Sequence, residues 1–68
     1  MEFYDKNGIL LKIGDHIVPD KGRELSIVST AYVEDFGEEC MFGQQVLDPL
    51  AFSVLTQDNL SLQWTKVE

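Results

Sequence analysis

Cysteine and histidine are nearly absent from this sequence, since Cys40 and His16 are the only residues of either type. A single cysteine cannot form an intramolecular disulfide, and these two residues cannot complete the four-ligand set of a structural zinc site. A solitary reduced thiol fits the cytosol. A chain of 68 residues is close to the size at which one hydrophobic core is only just sufficient. We therefore expect either efficient packing in a single domain, residues 1–68, or extra burial in a homodimer.

Positive charge is also scarce, because 5 basic residues face 12 acidic ones and leave a net charge of −7. Nucleic-acid-binding domains normally carry a basic surface, so we expect no direct binding of DNA or RNA. The imbalance is local, since residues 24–65 contain seven acids and no lysine or arginine. Four of these acids form a cluster, namely Glu34, Asp35, Glu38 and Glu39.

Long apolar runs and catalytic motifs are missing as well. The longest apolar runs have three residues, whereas a membrane span needs roughly 20, and the first residues do not resemble a secretory signal. We therefore expect a cytoplasmic protein without membrane contact. No phosphate-binding glycine loop, nucleophile elbow or calcium-loop pattern occurs. Asp15, which precedes His16, faces the other way on a strand, and acidic neighbours disfavour a Cys40 thiolate. We therefore expect no enzymatic activity, no cofactor and no metal.

Turn residues and alternating apolar residues predict an antiparallel β fold. The Asn7-Gly8 pair is typical of a type I′ hairpin turn, and further turns are predicted at residues 19–22 and 35–38. The predicted strands share β-branched or aromatic residues at a two-residue period and cover residues 3–4, 9–13, 13–18, 24–34, 39–42 and 61–67.

Residues 48–55 allow two interpretations. Asp48 followed by Pro49 is typical of a helix start, whereas the spacing of the apolar residues favours a strand. We favour the strand, because so short a helix would depend wholly on tertiary packing. Residues 56–60 predict one 3₁₀ turn before the final strand, 61–67.

The apolar faces of these strands predict the core. Alternate residues from Leu25 to Val33 share one face of the longest strand, and Leu62 and Trp64 share a face of the last one. The residues expected to be buried are Leu11, Ile13, Ile17, Leu25, Ile27, Val33, Val54, Leu62 and Trp64, together with Phe52.

Short strands with turns every 8–12 residues are typical of a small barrel. The chain resembles SH3-like barrels at residues Ile13, Gly14, Asp15, Ile17 and Val18, and again at Leu60, Leu62, Trp64 and Val67. It is also similar to short uncharacterised proteins of bacterial phages and mobile elements that open with a Gly-Asp strand. This resemblance implies a mainly β fold, a small SH3-like antiparallel barrel of about five strands with a 3₁₀ turn before the last strand. It does not imply polyproline recognition, because the Ala-Leu-Tyr-type motif of peptide-binding SH3 domains is absent.

Two aromatic residues accompany the acidic cluster. Tyr32 lies on the more polar face of its strand, and Phe36 lies in a turn between acids. The Phe36 ring is either exposed to solvent there or folded back over the end of the barrel, and we favour the folded-back position. An exposed aromatic ring surrounded by carboxylates is typical of an interface anchor with a polar rim. The candidate partner-binding residues are Tyr32, Glu34, Asp35, Phe36, Glu38 and Glu39.

Two functional hypotheses follow. The first is a non-enzymatic interaction module, encoded by a phage or mobile element, whose protein partner has a basic surface. The second is an acidic inhibitor that mimics nucleic acid and blocks a host nucleic-acid-binding defence enzyme. A mimic needs carboxylates in ordered rows, whereas a module would carry them in the turn. The simpler interpretation is a loop whose charges only keep the protein soluble.

Overall fold

Seven β-strands and one helix make up the fold. A computed structural model describes residues 1–68, of which 47% lie in strands and 10% in a helix. The predicted mainly β class is therefore confirmed. In chain order the elements are β1 (Phe3–Tyr4), β2 (Leu10–Leu11), β3 (His16–Pro19), β4 (Leu25–Val33), β5 (Glu38–Gln45), β6 (Phe52–Leu55), α1 (Gln57–Gln63) and β7 (Trp64–Lys66).

Five of the strands form one antiparallel sheet in the order β6-β5-β4-β3-β7, while β1 pairs only with β2. β6 and β7 stand at opposite ends of this order and do not pair, so the sheet does not close into the predicted barrel. The two edges differ. The Lys6 N–H donates to the Trp64 carbonyl at 2.9 Å and covers the edge of β7, whereas no loop hydrogen bond reaches Phe52–Leu55 in β6.

The predicted N-terminal hairpin is present, but its turn is of a different type. Gly8 has a φ of +78°, while no residue other than glycine has a positive φ. Asn7 therefore does not adopt the conformation that a type I′ turn requires. The Gly8 N–H donates to the Asp5 carbonyl at 3.0 Å, and the Asp5 N–H donates to the Ile9 carbonyl at 2.9 Å. This pattern is a three-residue loop in which a left-handed glycine follows a type I turn.

The carboxylate of Asp5 joins this hairpin to the end of the chain. Asp5 is 2% exposed. Its carboxylate accepts hydrogen bonds from the backbone N–H groups of Asn7 at 2.8 Å, Ile9 at 2.9 Å and Lys66 at 2.9 Å. Burial alone would raise the pKa of Asp5, but the three donors and the Lys66 ammonium outweigh burial and hold the pKa below the usual 3.8.

The long hairpin formed by β4 and β5 contains a β-bulge at Val28. Ile27 pairs with Gly43, yet Ser29 pairs with Phe42, so one extra residue of β4 lies between two successive partners. Because side chains alternate along a strand, the bulge moves the residues that follow it to the opposite face. The prediction of a single apolar face along the whole of β4 is therefore wrong beyond the bulge.

The buried core lies on the face of the sheet that packs against α1 and the β1–β2 hairpin. Its apolar members are Phe3, Leu11, Ile17, Leu25, Ile27, Met41, Leu55, Leu60 and Trp64. Burial is thus confirmed for five of the residues predicted from the sequence, namely Leu11, Ile17, Leu25, Ile27 and Trp64.

The other core predictions are wrong for identifiable reasons. Ile13 is 63% exposed because it lies in the turn before β3. Val54 and Phe52 are 38% and 59% exposed, since both point to the outer face of the sheet, where Val54 pairs with the half-buried Phe42. Val33 is only half-buried, because it follows the bulge.

The predictions of a 3₁₀ turn at residues 56–60 and of a strand from residue 61 are wrong, because Gln57–Gln63 form the α-helix α1 and the last strand begins at Trp64. Thr56 caps α1 with a capping box, in which Thr56 Oγ1 accepts from the Asn59 N–H and Asn59 Oδ1 accepts from the Thr56 N–H, both at 3.2 Å. The helix buries Leu60 and leaves Leu62 75% exposed, so the predicted common face of Leu62 and Trp64 is wrong. The preference for a strand within residues 48–55 is confirmed by β6.

Replacing Asp5 tests the link between the N-terminal hairpin and β7. Asp5→Asn is expected to lower the free energy of unfolding by about 1–3 kcal/mol at neutral pH, because one N–H donor then faces an amide NH₂ group. The folded pKa of Asp5 lies below the unfolded value near 3.8. The carboxylate therefore stabilises the fold above that value, and its contribution disappears as pH falls through the folded pKa. Urea unfolding at several pH values should show the gap between parent and variant closing in acid, and a gap that persists at about pH 2 would contradict this role.

Gly43 is expected to tolerate no side chain. A Cβ at this position would lie 2.7 Å from Leu25 Cδ1 and 3.1 Å from Leu25 Cβ. Gly43→Ala should therefore cost about 1–3 kcal/mol by overpacking, which corresponds to a fall in Tm of roughly 4–24 °C for a domain of this size. Ser53→Ala, on the neighbouring strand, is the control and should change Tm little. Equal Tm values for the parent and the Gly43 variant would show that the contact relaxes without cost.

Candidate functional site: acidic hairpin tip and cationic cleft

The predicted partner-binding residues lie together at one end of the β4–β5 hairpin. The turn Glu34–Gly37 links the strands and is held by hydrogen bonds from the Phe36 and Gly37 N–H groups to the Val33 carbonyl at 3.1 and 2.9 Å. Gly37 has a φ of +66°, which suits glycine at the end of a tight turn. We call the following set the acidic hairpin tip: Tyr32, Glu34, Asp35, Phe36, Glu38 and Glu39.

Both aromatic rings of the acidic hairpin tip face solvent. Tyr32 is 66% exposed and Phe36 is 52% exposed. Phe36 therefore does not fold back over the end of the sheet. Large exposed aromatic rings carry apolar area that a partner can cover, and such residues dominate binding energy in many interfaces.

The carboxylates of the acidic hairpin tip lie on both faces of the hairpin. Glu39 pairs across the strands with Tyr32, whereas Glu38 pairs with Val33, so the two adjacent acids point to opposite sides. Glu39 lies 3.6 Å from the Met1 amino group. No ion pair involves Glu34, Asp35 or Glu38. The acidic hairpin tip is therefore a compact, largely uncompensated negative charge, and its acids do not form one ordered row.

Several acids elsewhere in the chain lie beside a side-chain nitrogen. These pairs are Glu24 with His16 Nδ1 at 2.5 Å, Asp20 with Lys6 Nζ at 2.6 Å, and Asp15 with Lys66 Nζ at 3.6 Å. All three pairs are partly exposed, and such pairs contribute little to stability. The four acids outside the tip that have neither an ion pair nor the hydrogen bonds of Asp5 are dispersed along the sequence, at Glu2, Asp48, Asp58 and Glu68.

A cleft of about 320 Å³ lies at the other end of the same hairpin. Each strand of the large sheet contributes one residue to it, in the order Ser53, Gln45, Leu25, Pro19 and Trp64. The loop after β3 and the end of α1 add Lys21, Gly22, Arg23 and Gln63. We call this set of nine residues the cationic cleft.

The charge of the cationic cleft is positive, opposite in sign to the net charge of the protein. Lys21 and Arg23 are its only charged residues, and neither forms an ion pair. The two acids that flank this loop in sequence do not line the cleft, because Asp20 is held by Lys6 and Glu24 by His16.

Trp64 supplies the one buried side-chain polar atom without a partner. The residue is 8% exposed, and its indole Nε1–H makes no hydrogen bond. Leaving a buried donor unsatisfied costs about 1–3 kcal/mol. Such unsatisfied buried groups are few in native structures, and each of them calls for a physical explanation.

Reasoning from the sequence located the acidic hairpin tip and missed the cationic cleft. The residues of the tip lie within eight consecutive positions, whereas those of the cleft extend from Pro19 to Trp64. One signal was available, because Lys21 and Arg23 flank a glycine at the start of the acidic part of the chain. Nothing in the sequence brings Gln45, Ser53 or Gln63 beside them.

The nucleophilic and metal-binding residue types do not come together. No group of three His, Cys, Asp or Glu residues could hold a metal ion. Cys40 is fully buried, and its Sγ donates to the Glu38 carbonyl at 3.6 Å. Burial, followed by the charge of Glu38, raises the pKa of the Cys40 thiol. No helix has the length and apolar character needed to cross a membrane.

Comparisons with known protein families, with curated proteins and with solved structures each return no match for this chain. The assignment of a function therefore depends on the geometry and charge of the acidic hairpin tip and the cationic cleft.

Cys40 is expected to be unreactive in the folded protein. Its burial and raised pKa keep the thiolate scarce and inaccessible, so a disulfide reagent should modify it only through local or global opening. The rate of modification at pH 8 should rise by roughly 100-fold or more when the protein is unfolded in urea. A Cys40→Ser/Ser29→Cys variant, with its thiol at an exposed position of β4, is the control and should react rapidly in the folded state. Rapid reaction of the parent would show that Cys40 is accessible.

Proposed function

We propose that this protein is a non-enzymatic interaction module that binds a protein partner through the acidic hairpin tip. The observation that carries the proposal is the exposure of Tyr32 and Phe36 among four carboxylates. The aromatic rings supply apolar contact area, and the carboxylates select a partner with a basic surface.

The hairpin gives this surface a defined shape. β4 and β5 are paired from Val33–Glu38 at the tip to Leu25–Gln45 at the cleft. A tip held by two long paired strands loses little conformational entropy when it binds, compared with a loop of the same length. Uncompensated charge at the tip accelerates encounter with a basic partner, and this effect weakens as salt screens it.

A mimic of nucleic acid has less support. Such an inhibitor would present carboxylates in rows, as phosphates are spaced along a duplex. Glu38 and Glu39 point to opposite faces of the hairpin, while Asp15, Asp20 and Glu24 lie beside side-chain nitrogens. The same surplus of negative charge supports the expectation that the protein does not bind DNA or RNA directly.

The proposal extends to the finer fold class and to the origin of the protein. An SH3-like arrangement is supported by the helix between β6 and β7 and by the return of β7 to pair with β3. We assign the chain on this basis to the small SH3-like proteins of phages and mobile elements, with a cytoplasmic location. Such folds serve many functions, so the role of this chain depends on its surfaces.

Neutralising the acidic hairpin tip tests the proposal. The tagged protein would be used to capture partners from an extract of the source cell, and the captured partner would then be measured on a biosensor. Glu34→Gln/Asp35→Asn should slow association about tenfold at low salt, because it removes steering charge at the contact surface. Asp48→Asn/Glu68→Gln is the matched control, since it changes the net charge equally and Asp48 follows Gln45, at the end of β5 opposite the tip. Equal association rates for the two double variants would contradict a role for these carboxylates.

Phe36→Ala tests the aromatic anchor separately. Removing a ring covered by a partner should accelerate dissociation by about tenfold or more while leaving association nearly unchanged. The turn should survive the substitution, because the Phe36 backbone N–H still donates to Val33. A partner that dissociates from this variant and the parent at the same rate does not contact Phe36.

A further inference from the structure

We propose that the cationic cleft is a second binding site, which takes the carboxylate or phosphate group of a small molecule. The cleft is remote from the acidic hairpin tip, since Leu25 and Gln45 pair at the opposite end of the β4–β5 ladder from Val33 and Glu38. The proposal does not depend on the function assigned to the tip.

The charges of the cleft select an anion. Lys21 and Arg23 both line it, no acid does, and neither cation is used in an ion pair. The overall charge of −7 repels anions at long range, so an anion can be held here only by local contacts. Arg23 offers a planar fork of N–H donors that matches two oxygens of a carboxylate or phosphate, and Lys21 adds a second positive charge.

The loop that carries these cations has a conformation that requires glycine at position 22. This residue has a φ of +132°, and a Cβ on it would lie 3.0 Å from Pro19 Cγ. Only glycine adopts that backbone conformation without strain. The chain therefore passes closely over Pro19, and both cations face the same cleft.

The remaining walls favour a small polar ligand. A volume of about 320 Å³ lies at the lower limit of ligand sites, which span roughly 300–1,000 Å³. Gln45, Ser53 and Gln63 supply uncharged donors and acceptors. Trp64 contributes part of its ring to the wall, and its buried indole N–H has no acceptor in the protein.

Trp64 also makes the proposal directly measurable, because it is the only tryptophan in the chain. Its single indole N–H resonance and its fluorescence both report on the wall of the cleft. Citrate and inorganic phosphate would be titrated into the ¹⁵N-labelled protein, with sodium chloride at matched ionic strength as the blank. We expect a saturable shift of the indole resonance with citrate or phosphate and none with chloride. Linear, non-saturating shifts with all three salts would overturn the proposal.

Charge-neutral variants distinguish specific binding at the cationic cleft from nonspecific electrostatic attraction to the protein. Lys21→Gln and Arg23→Gln should each weaken binding about tenfold or more, since each loses a charge-assisted contact. Lys12→Gln is the matched control, because Lys12 is exposed, forms no ion pair and does not line the cleft. Thermal unfolding verifies that all three variants remain folded. Equal weakening by Lys12→Gln would overturn the proposal.

A dilution series identifies the source of the anion. If the indole resonance shifts with protein concentration in the absence of added ligand, and Glu34→Gln/Asp35→Asn abolishes the shift, the acidic hairpin tip of a second copy fills the cleft. That result would overturn binding of a small molecule. An indole resonance independent of protein concentration supports it.

Discussion

The buried carboxylate of Asp5 joins parts of the chain that the sheet alone would leave apart. It accepts three backbone N–H groups, two within the N-terminal turn and one from Lys66 in β7, a residue 61 positions away. Through this contact the β1–β2 hairpin covers the edge of β7 and keeps Trp64 against the core. This protein has no disulfide, and a network of charge-assisted hydrogen bonds joins the two ends of the chain as a disulfide does in other small proteins.

The β4–β5 hairpin places two surfaces of opposite charge at its two ends. Uncompensated carboxylates surround Tyr32 and Phe36 at the turn, whereas Lys21 and Arg23 lie at the base, where all five strands of the sheet contribute a residue to one cleft. Separation along a rigid element allows each surface to be altered without changing the other. The bulge at Val28 lies between them and redirects the outer half of β4.

Features that depend on neighbouring residues could be predicted from the sequence, whereas features that depend on residues distant in the sequence could not. The two-residue period of β4 and the Asp-Phe-Gly turn were sufficient to place the hairpin and the exposed Tyr32. The exposure of Phe36 could not be predicted in this way, because the direction of a side chain in a turn depends on what the end of the sheet offers it. The bulge could not be predicted because Val28 is an ordinary strand residue, and the position of the bulge depends on the pairing with the partner strand. Leu62 was misassigned because Ser61 to Thr65 alternates like a strand, while the capping box at Thr56 starts a helix. The cationic cleft required the tertiary fold, since its residues come from every strand of the sheet.

The open edge of β6 makes the aggregation of this protein dependent on pH. Residues 49–57 carry no charge, and Phe52 and Val54 present apolar side chains beside unpaired backbone groups. Natural sheets commonly protect such an edge with lysine, proline or a bulge, and β6 has none of these within it. Repulsion between chains of net charge −7 opposes contact at this edge instead. That repulsion vanishes near the isoelectric point of about 4.4, so mild acidification leaves the edge free to template strand-to-strand precipitation.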